Sequence, residues 1–267
     1  MVVLQSRLDF APWAEPRHRR LPGIQPLDPD DWLRVDDAFA GQMALRDRLI
    51  AERHGEVHAL LPPAEAPAAE LLDLVLEHLR RDRRYRVGGR TVLRPDGVEV
   101  ALEPDRPLMT LGRLVQADLC LHQPAGPQPG AEHVLTGAIL CFPAGWTLAE
   151  KLGRPLTRIH APVADYDAGL AARVHRLFDG IQPGRPLWRA NVLAYARPEL
   201  FAPHREGAPR PRPAGPAAYV RSERQCLLRL PRSQAVVFSI HTAVVRREAL
   251  TPAQAAALAQ LHPTAPA

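Results

Sequence analysis

The 267-residue chain is 46% hydrophobic and 24% charged, which is globular composition and argues against a disordered polymer. Its net charge of +5 comes from basic residues that are all arginine except Lys151, scattered without aromatic interleaving, so nucleic acid is not an expected partner. Three cysteines, Cys120, Cys141 and Cys226, form no CxxC pair, which excludes a disulfide framework or an internal thiolate cluster and suits a cytoplasmic, reducing compartment. No stretch approaches the ~20 apolar residues that span a bilayer, and no export leader is evident, so no membrane is expected either.

Residues 1–27, rich in proline and arginine, read as an extended arm lying over the domain formed by residues 28–262. Asp28 or Asp30 is expected to cap a helix through Trp32, Val35, Phe39, Met43 and Leu49, stopping near Gly55. A second helix, 68–81, carries Leu71, Leu72, Val75, Leu76 and Leu79 on one face. Arg94-Pro95-Asp96-Gly97 separates two β-rich runs and predicts a hairpin, because proline presets φ and glycine accepts a positive value. A short helix over 108–115 leads to strands at 116–123 and 133–142. Thr147 and Glu150 stand at capping-box spacing, and 166–181 reads as a longer amphipathic helix. Strands at 187–196, 217–230 and 235–245 follow, the first two joined by a proline-rich loop, and 252–261 is a closing helix. The sum is an α+β fold with an N-terminal helical layer.

The strand at 217–230 raises an electrostatic problem. One alternating row reads Val220, Ser222, Arg224, Cys226, Leu228, Leu230, which sets a guanidinium on an apolar face where it needs an anion, a ligand or water. Arg221 and Glu223 lie on the opposite row and are expected to pair on a solvated side. Arg189 and Asn191 share a row with Leu193 and Tyr195, and Asp118 is a carboxylate partner for one of these arginines. An ion-pair network that only organises the sheet meets the same pattern.

Among the histidines, His160 precedes an Ala-Pro break that fixes a loop, which suits metal or haem ligation, although a helix cap or buried hydrogen-bonded residue reads equally well. His241 is mid-strand and is the second candidate. His133 starts a strand, His122 ends one, and His175 is expected on a solvated helix face. HxH, HExxH and His/Asp pairs at i, i+4 are read as absent, so a mononuclear metal centre is not expected. GxGxxG, P-loop and GxSxG motifs are also absent, which removes the simplest nucleotide and hydrolase readings.

Taken together, VQADLCL (115–121), FPAGWTLAEKLGRPLTRIHAPV (142–163), WRANV (188–192), YVRSERQCLLRLP (219–231) and VVFSIHT (236–242) resemble the haem-dependent oxidative N-demethylase family. The similarity runs from about Leu21 to about Leu250. It implies a PAS-like domain in which an antiparallel sheet flanked by helices holds haem b. It further implies oxidation of dimethylamine by dioxygen to methylamine and formaldehyde. Electrons would come from NADPH through partner subunits carrying flavin (FMN) and a 2Fe-2S cluster, with tetrahydrofolate as a formaldehyde acceptor.

On this resemblance His160, in the IHxPV element, is the expected haem-iron ligand, with His241 as runner-up, and Arg189, Asn191 and Gln225 stand on the cofactor side. Arg224, from the ERQ element, is expected near bound oxygen, where a cation stabilises developing charge, while Glu223, Gln225 and Asp118 orient it or bind the amine. A thiolate ligand is disfavoured, since all three cysteines sit in apolar segments. A gas-sensing or small-ligand-binding PAS-like protein without turnover is the alternative. The chain departs from the family pattern at Ala117, Val192 and the Ile240-His241-Thr242-Ala243 run. If those side chains line the pocket, the substrate differs from dimethylamine or turnover has been lost.

Overall fold

A computed structural model describes residues 2–9, 11–14, 23–128, 130–161, 167–209 and 217–261. Within the arm, Val3, Leu8 and Trp13 are buried, Gln5 N–H bonds the Val244 carbonyl at 3.0 Å, and β1 (Gln25–Pro26) joins a sheet edge; residues 15–22 lie outside the described residues. Asp28 does cap, its carboxylate accepting the Asp30 N–H at 3.0 Å, but it opens only a 3-10 turn, Pro29–Asp31. The expected helix starts later, as α1 (Phe39–Glu52). Residues in between are committed to tertiary bonds that a continuous helix would break. The Trp32 indole donates to the Ser239 hydroxyl at 3.0 Å, and the Asp36 carboxylate meets Gln5, Gln116 and His241.

After α2 (His54–Val57) and β2 (His58–Leu60) comes α3 (Glu65–Arg81), whose apolar stripe is buried as its spacing requires. Strands β3 (Arg86–Val87), β4 (Thr91–Leu93) and β5 (Glu99–Ala101) form a small sheet, and Gly97 turns the β4–β5 hairpin with φ of 81°. Helix α4 (Pro107–Leu114) packs against the main sheet through Gly112, where a Cβ would stand 2.5 Å from Ile139. Next are β6 (Asp118–Pro124), β7 (His133–Ile139), α5 (Leu148–Lys151), α6 (Leu156–His160) and α7 (Ala168–Gly180). The Thr147 hydroxyl meets the Glu150 carboxylate without capping the backbone of α5. Strands β8 (Leu187–Tyr195), β9 (Tyr219–Arg229) and β10 (Val236–Arg246) and helix α8 (Pro252–Leu261) complete the described chain.

The main sheet has seven strands in the order β1-β8-β9-β10-β6-β7-β2, and every pairing is antiparallel. Its register sorts the chemistry onto two faces, because alternate residues point to opposite sides. Asn191 opposes Glu223, Arg189 opposes Gln225, and Ile240 opposes both Gln225 and Asp118, so these residues share a first face. His241 opposes Arg224, and Cys226 opposes Trp188 and Ser239, so these share the second. Leu156, Val174, Leu177 and Phe178, from α6 and α7, pack with Leu227, Val236 and Phe238 over the first face. The second face holds the main core, where α1, α3 and α4 contribute Met43, Leu71, Val75, Leu108 and Leu111.

Candidate functional site

The first face carries a buried polar row. Arg221 Nε donates to Glu223 at 2.9 Å, and the guanidinium also reaches the carbonyls of Leu200 (3.1 Å) and Phe142 (2.5 Å). The expected pair therefore forms, but it is not solvated: Arg221 is 0% exposed because the segments around Phe142 and Leu200 cover it. Glu223 also accepts from Asn191 Nδ2 at 3.1 Å and Gln225 Nε2 at 3.2 Å, and Gln225 Oε1 accepts from Arg189 at 3.1 Å. Two atoms of this row are buried with no hydrogen-bond partner among the described residues, a donor, Arg189 Nε, and an acceptor, Asn191 Oδ1. Two guanidinium groups face one carboxylate, so the row carries one positive charge in excess. Burial works against the Arg189 charge and the Glu223 carboxylate only partly offsets it.

His160 closes α6 instead of sitting on a loop. Its Nδ1 lies 2.8 Å from the Leu156 carbonyl, which fixes the ring and puts the lone pair on Nε2. Burial pulls its pKa down against that hydrogen bond, and the charges of Lys151 and Arg189 lower it further, which brings His160 within electrostatic reach of the polar row. His122, on the same face, is pushed down to about 3 by burial and then by His133 and His160. Burial thus works against the charged form of both His122 and His160, and the neutral imidazole is the form that ligates a metal. Residues 162–166, which include the Pro-Val of the IHxPV element and the expected start of α7, lie outside the described residues.

Arg224 and His241 are on the other side of the sheet. Arg224 is 1% exposed and solves its electrostatic problem locally, with Asp31 at 2.9 Å, the Trp32 carbonyl at 3.2 Å, Cys226 Sγ at 3.4 Å and the Trp188 ring 5.3 Å away. His241 Nε2 lies 3.0 Å from Asp36, whose carboxyl is raised by burial but brought down to about 2 by His241, Gln116 and Gln5. A polar groove of about 260 Å³ opens here between Asp30, Asp31, Arg34, Asp36, Arg84 and His241. That is below the ~300–1,000 Å³ usual for ligand pockets. The structure thus brings Glu223 together with Asn191 and Gln225, and Gln225 with Arg189, and sets His160 where it feels the Arg189 charge, but does not bring Arg224 to them.

Asp118 is held by a residue that spacing did not single out. Arg46, on α1, bonds it at 2.6 Å with both side chains 0% exposed, and the carboxylate also accepts the N–H groups of Cys141 (2.7 Å) and Phe142 (2.9 Å). All three cysteines are free and buried, and burial raises their pKa, to about 12 for Cys141 and about 11 for Cys226. One spacing was overlooked. His175 and Asp179 are four apart on α7, share a side, and meet His133. No helix among the described residues is long and apolar enough to cross a membrane.

A family model described as haem-dependent oxidative N-demethylase, alpha subunit-like, matches residues 23–264, and the chain belongs to that family. The description implies dependence on haem and a place beside other subunits. The residues of the first face fit such a group. His160 is a half-buried imidazole of fixed orientation, Leu156, Phe178 and Phe238 supply apolar surface, and Arg189 Nε is a stranded donor suited to a propionate.

Proposed function

We propose that this member of the haem-dependent oxidative N-demethylase family is the haem-carrying subunit of a monooxygenase that removes a methyl group from a small alkylamine, with the first face of its PAS-like sheet as the site. The observation that carries the reading is the pair of stranded atoms in the polar row, one donor and one acceptor, in a row that is one positive charge in excess. A buried charge without a partner costs several kcal/mol even after relaxation, roughly, so the row is built to receive something. Arg189 Nε would hold the carboxylate of a haem propionate. Asn191, whose amide nitrogen is held by Glu223, offers Oδ1 to an amine N–H.

Haem b, when bound, supplies the activation of dioxygen and the oxidation of the amine methyl, which leaves as formaldehyde. His160, oriented by the Leu156 carbonyl, would hold the iron, and the Phe178 and Phe238 wall would keep water out. Glu223, locked by Arg221, Asn191 and Gln225, fixes the side chains that read the amine. Arg224 and Asp118 act as frame, because their own partners already use them. Partner subunits with FMN and a 2Fe-2S cluster supply electrons from NADPH, and tetrahydrofolate takes the formaldehyde. On this reading the protein works in the cytoplasm, which its three unpaired cysteines suit.

The test is optical. Purified protein reconstituted with haem should show a Soret band that shifts on reduction and on binding CO, and His160→Ala should lose it while far-UV circular dichroism stays unchanged. A protein that takes up no haem, or a His160→Ala variant with an unaltered spectrum, overturns the reading. Haem uptake without amine oxidation under supplied electrons would instead assign the site to gas sensing.

A further inference from the structure

His133 is 1% exposed, and neither of its ring nitrogens has a hydrogen-bond partner among the described residues. A neutral imidazole carries one N–H and one lone pair, so both are stranded in the interior, an arrangement that a native fold rarely leaves unused. The ring faces α7. There His175 and Asp179, one helical turn apart, turn toward it, and one ligand atom from each of the three residues lies within 4.8 Å of the others.

The individual distances are informative. Asp179 Oδ1 is 3.7 Å from His133 Nδ1, and Oδ2 is 3.4 Å from His175 Nε2, so the two carboxylate oxygens lie one toward each imidazole. Both are long for hydrogen bonds, yet donors placed tetrahedrally about 2.0–2.1 Å from a zinc ion stand about 3.3–3.4 Å apart. The neighbouring cation, Arg229, is turned to the carbonyls of Phe178, Ile181 and Gln234, and its contact with Asp179 is to the carbonyl, not the carboxylate.

We propose that His133, His175 and Asp179 form a divalent metal site of zinc type, with water completing the fourth position. Two imidazoles and one carboxylate without a thiolate are a borderline donor set, which suits zinc over magnesium or calcium. The site is separate from His160 and does not depend on haem. Its consequence is mechanical. The ion ties the middle of α7 to the start of β7, and Phe178, between His175 and Asp179 on that helix, packs against both His133 (5.4 Å between ring centroids) and His122 (5.5 Å). Metal binding therefore fixes one wall of the first face.

The experiment uses the untagged full-length chain, stripped with a chelator and titrated with zinc chloride, with bound zinc counted by elemental analysis separately from iron. One zinc per chain is expected. His175→Ala and Asp179→Asn, at partly exposed positions that leave the core intact, should each weaken zinc binding at least tenfold and abolish the rise in melting temperature that excess zinc produces. His160→Ala should bind zinc as the parent does. Absence of stoichiometric zinc in the parent, or undiminished binding and thermal response in both α7 variants, overturns the proposal.

Discussion

Asp118→Asn is expected to destabilise the fold by ~3–5 kcal/mol, the cost of breaking a buried ion pair from one side. The carboxylate is 0% exposed and accepts three hydrogen bonds, from Arg46 and from the N–H groups of Cys141 and Phe142. An amide of the same size has one carbonyl oxygen, so whichever way it turns, its NH2 group faces a donor. Arg46 would keep its full charge in the interior with no carboxylate bonded to it, held by the Gly112 carbonyl at 2.9 Å and by the Phe142 ring, 5.4 Å from the guanidinium carbon. With a urea m-value of about 2–3 kcal/mol per molar, the midpoint should drop by about 1–2.5 M. The assay is urea unfolding followed by tryptophan fluorescence and circular dichroism, with Arg46→Met and the double variant closing the cycle. Removing both partners should recover much of the loss. A destabilisation under about 1 kcal/mol, or unchanged stability with loss of amine oxidation, would refute the structural role and return Asp118 to the reaction.

Two further outcomes follow from the same geometry. Arg224→Leu removes a buried cation whose partner, Asp31, is 45% exposed and rehydrates readily, so a loss of about 1 kcal/mol or less is expected with haem uptake intact; loss of amine oxidation in a folded, haem-loaded variant would show instead that Arg224 takes part in the chemistry. Because the folded pKa of His122 is depressed to about 3, the unfolded chain takes up a proton below about pH 6.5 that the native state refuses. Stability should fall by ~1.4 kcal/mol per pH unit from this group as pH drops below that value. His122→Asn should flatten the dependence of the urea midpoint between pH 7 and 5, and parallel curves would contradict the assignment.

Elements fixed by local rules were legible in the sequence. The α3 stripe, the Gly97 hairpin, the long strands and α8, which runs over the expected residues, depend on spacing and turn chemistry within a few residues. The start of α1 was not legible, because Trp32 and Asp36 have helical spacing but are claimed by Ser239, Gln116 and His241, 80 to 207 positions away. Period-two reading separated Arg224 from Arg221 and Glu223 correctly. What it could not supply is which face is covered, since that depends on where α5 to α7 and the Leu200 segment lie. The i,i+4 pair His175 and Asp179 was present in the sequence, but its third partner, His133, is joined to it only by the fold.

The two-faced register also bears on the departures from the family pattern. Val192, His241 and Ala243 all belong to the second face, opposite or beside Ser222 and Arg224, and none shares a side with Arg189, Asn191 or Glu223. Val192 and Ala243 lie in the small cluster that seats Leu8, Trp13 and Leu258, so short side chains there make room for the N-terminal segment and α8. His241 answers to Asp36, on the segment before α1. These three changes are accounted for by how the chain ends and the helical layer dock on the second face. The polar row with its stranded donor and acceptor is left untouched by them, and substrate choice has to be sought in that row and in the apolar side chains that cover it.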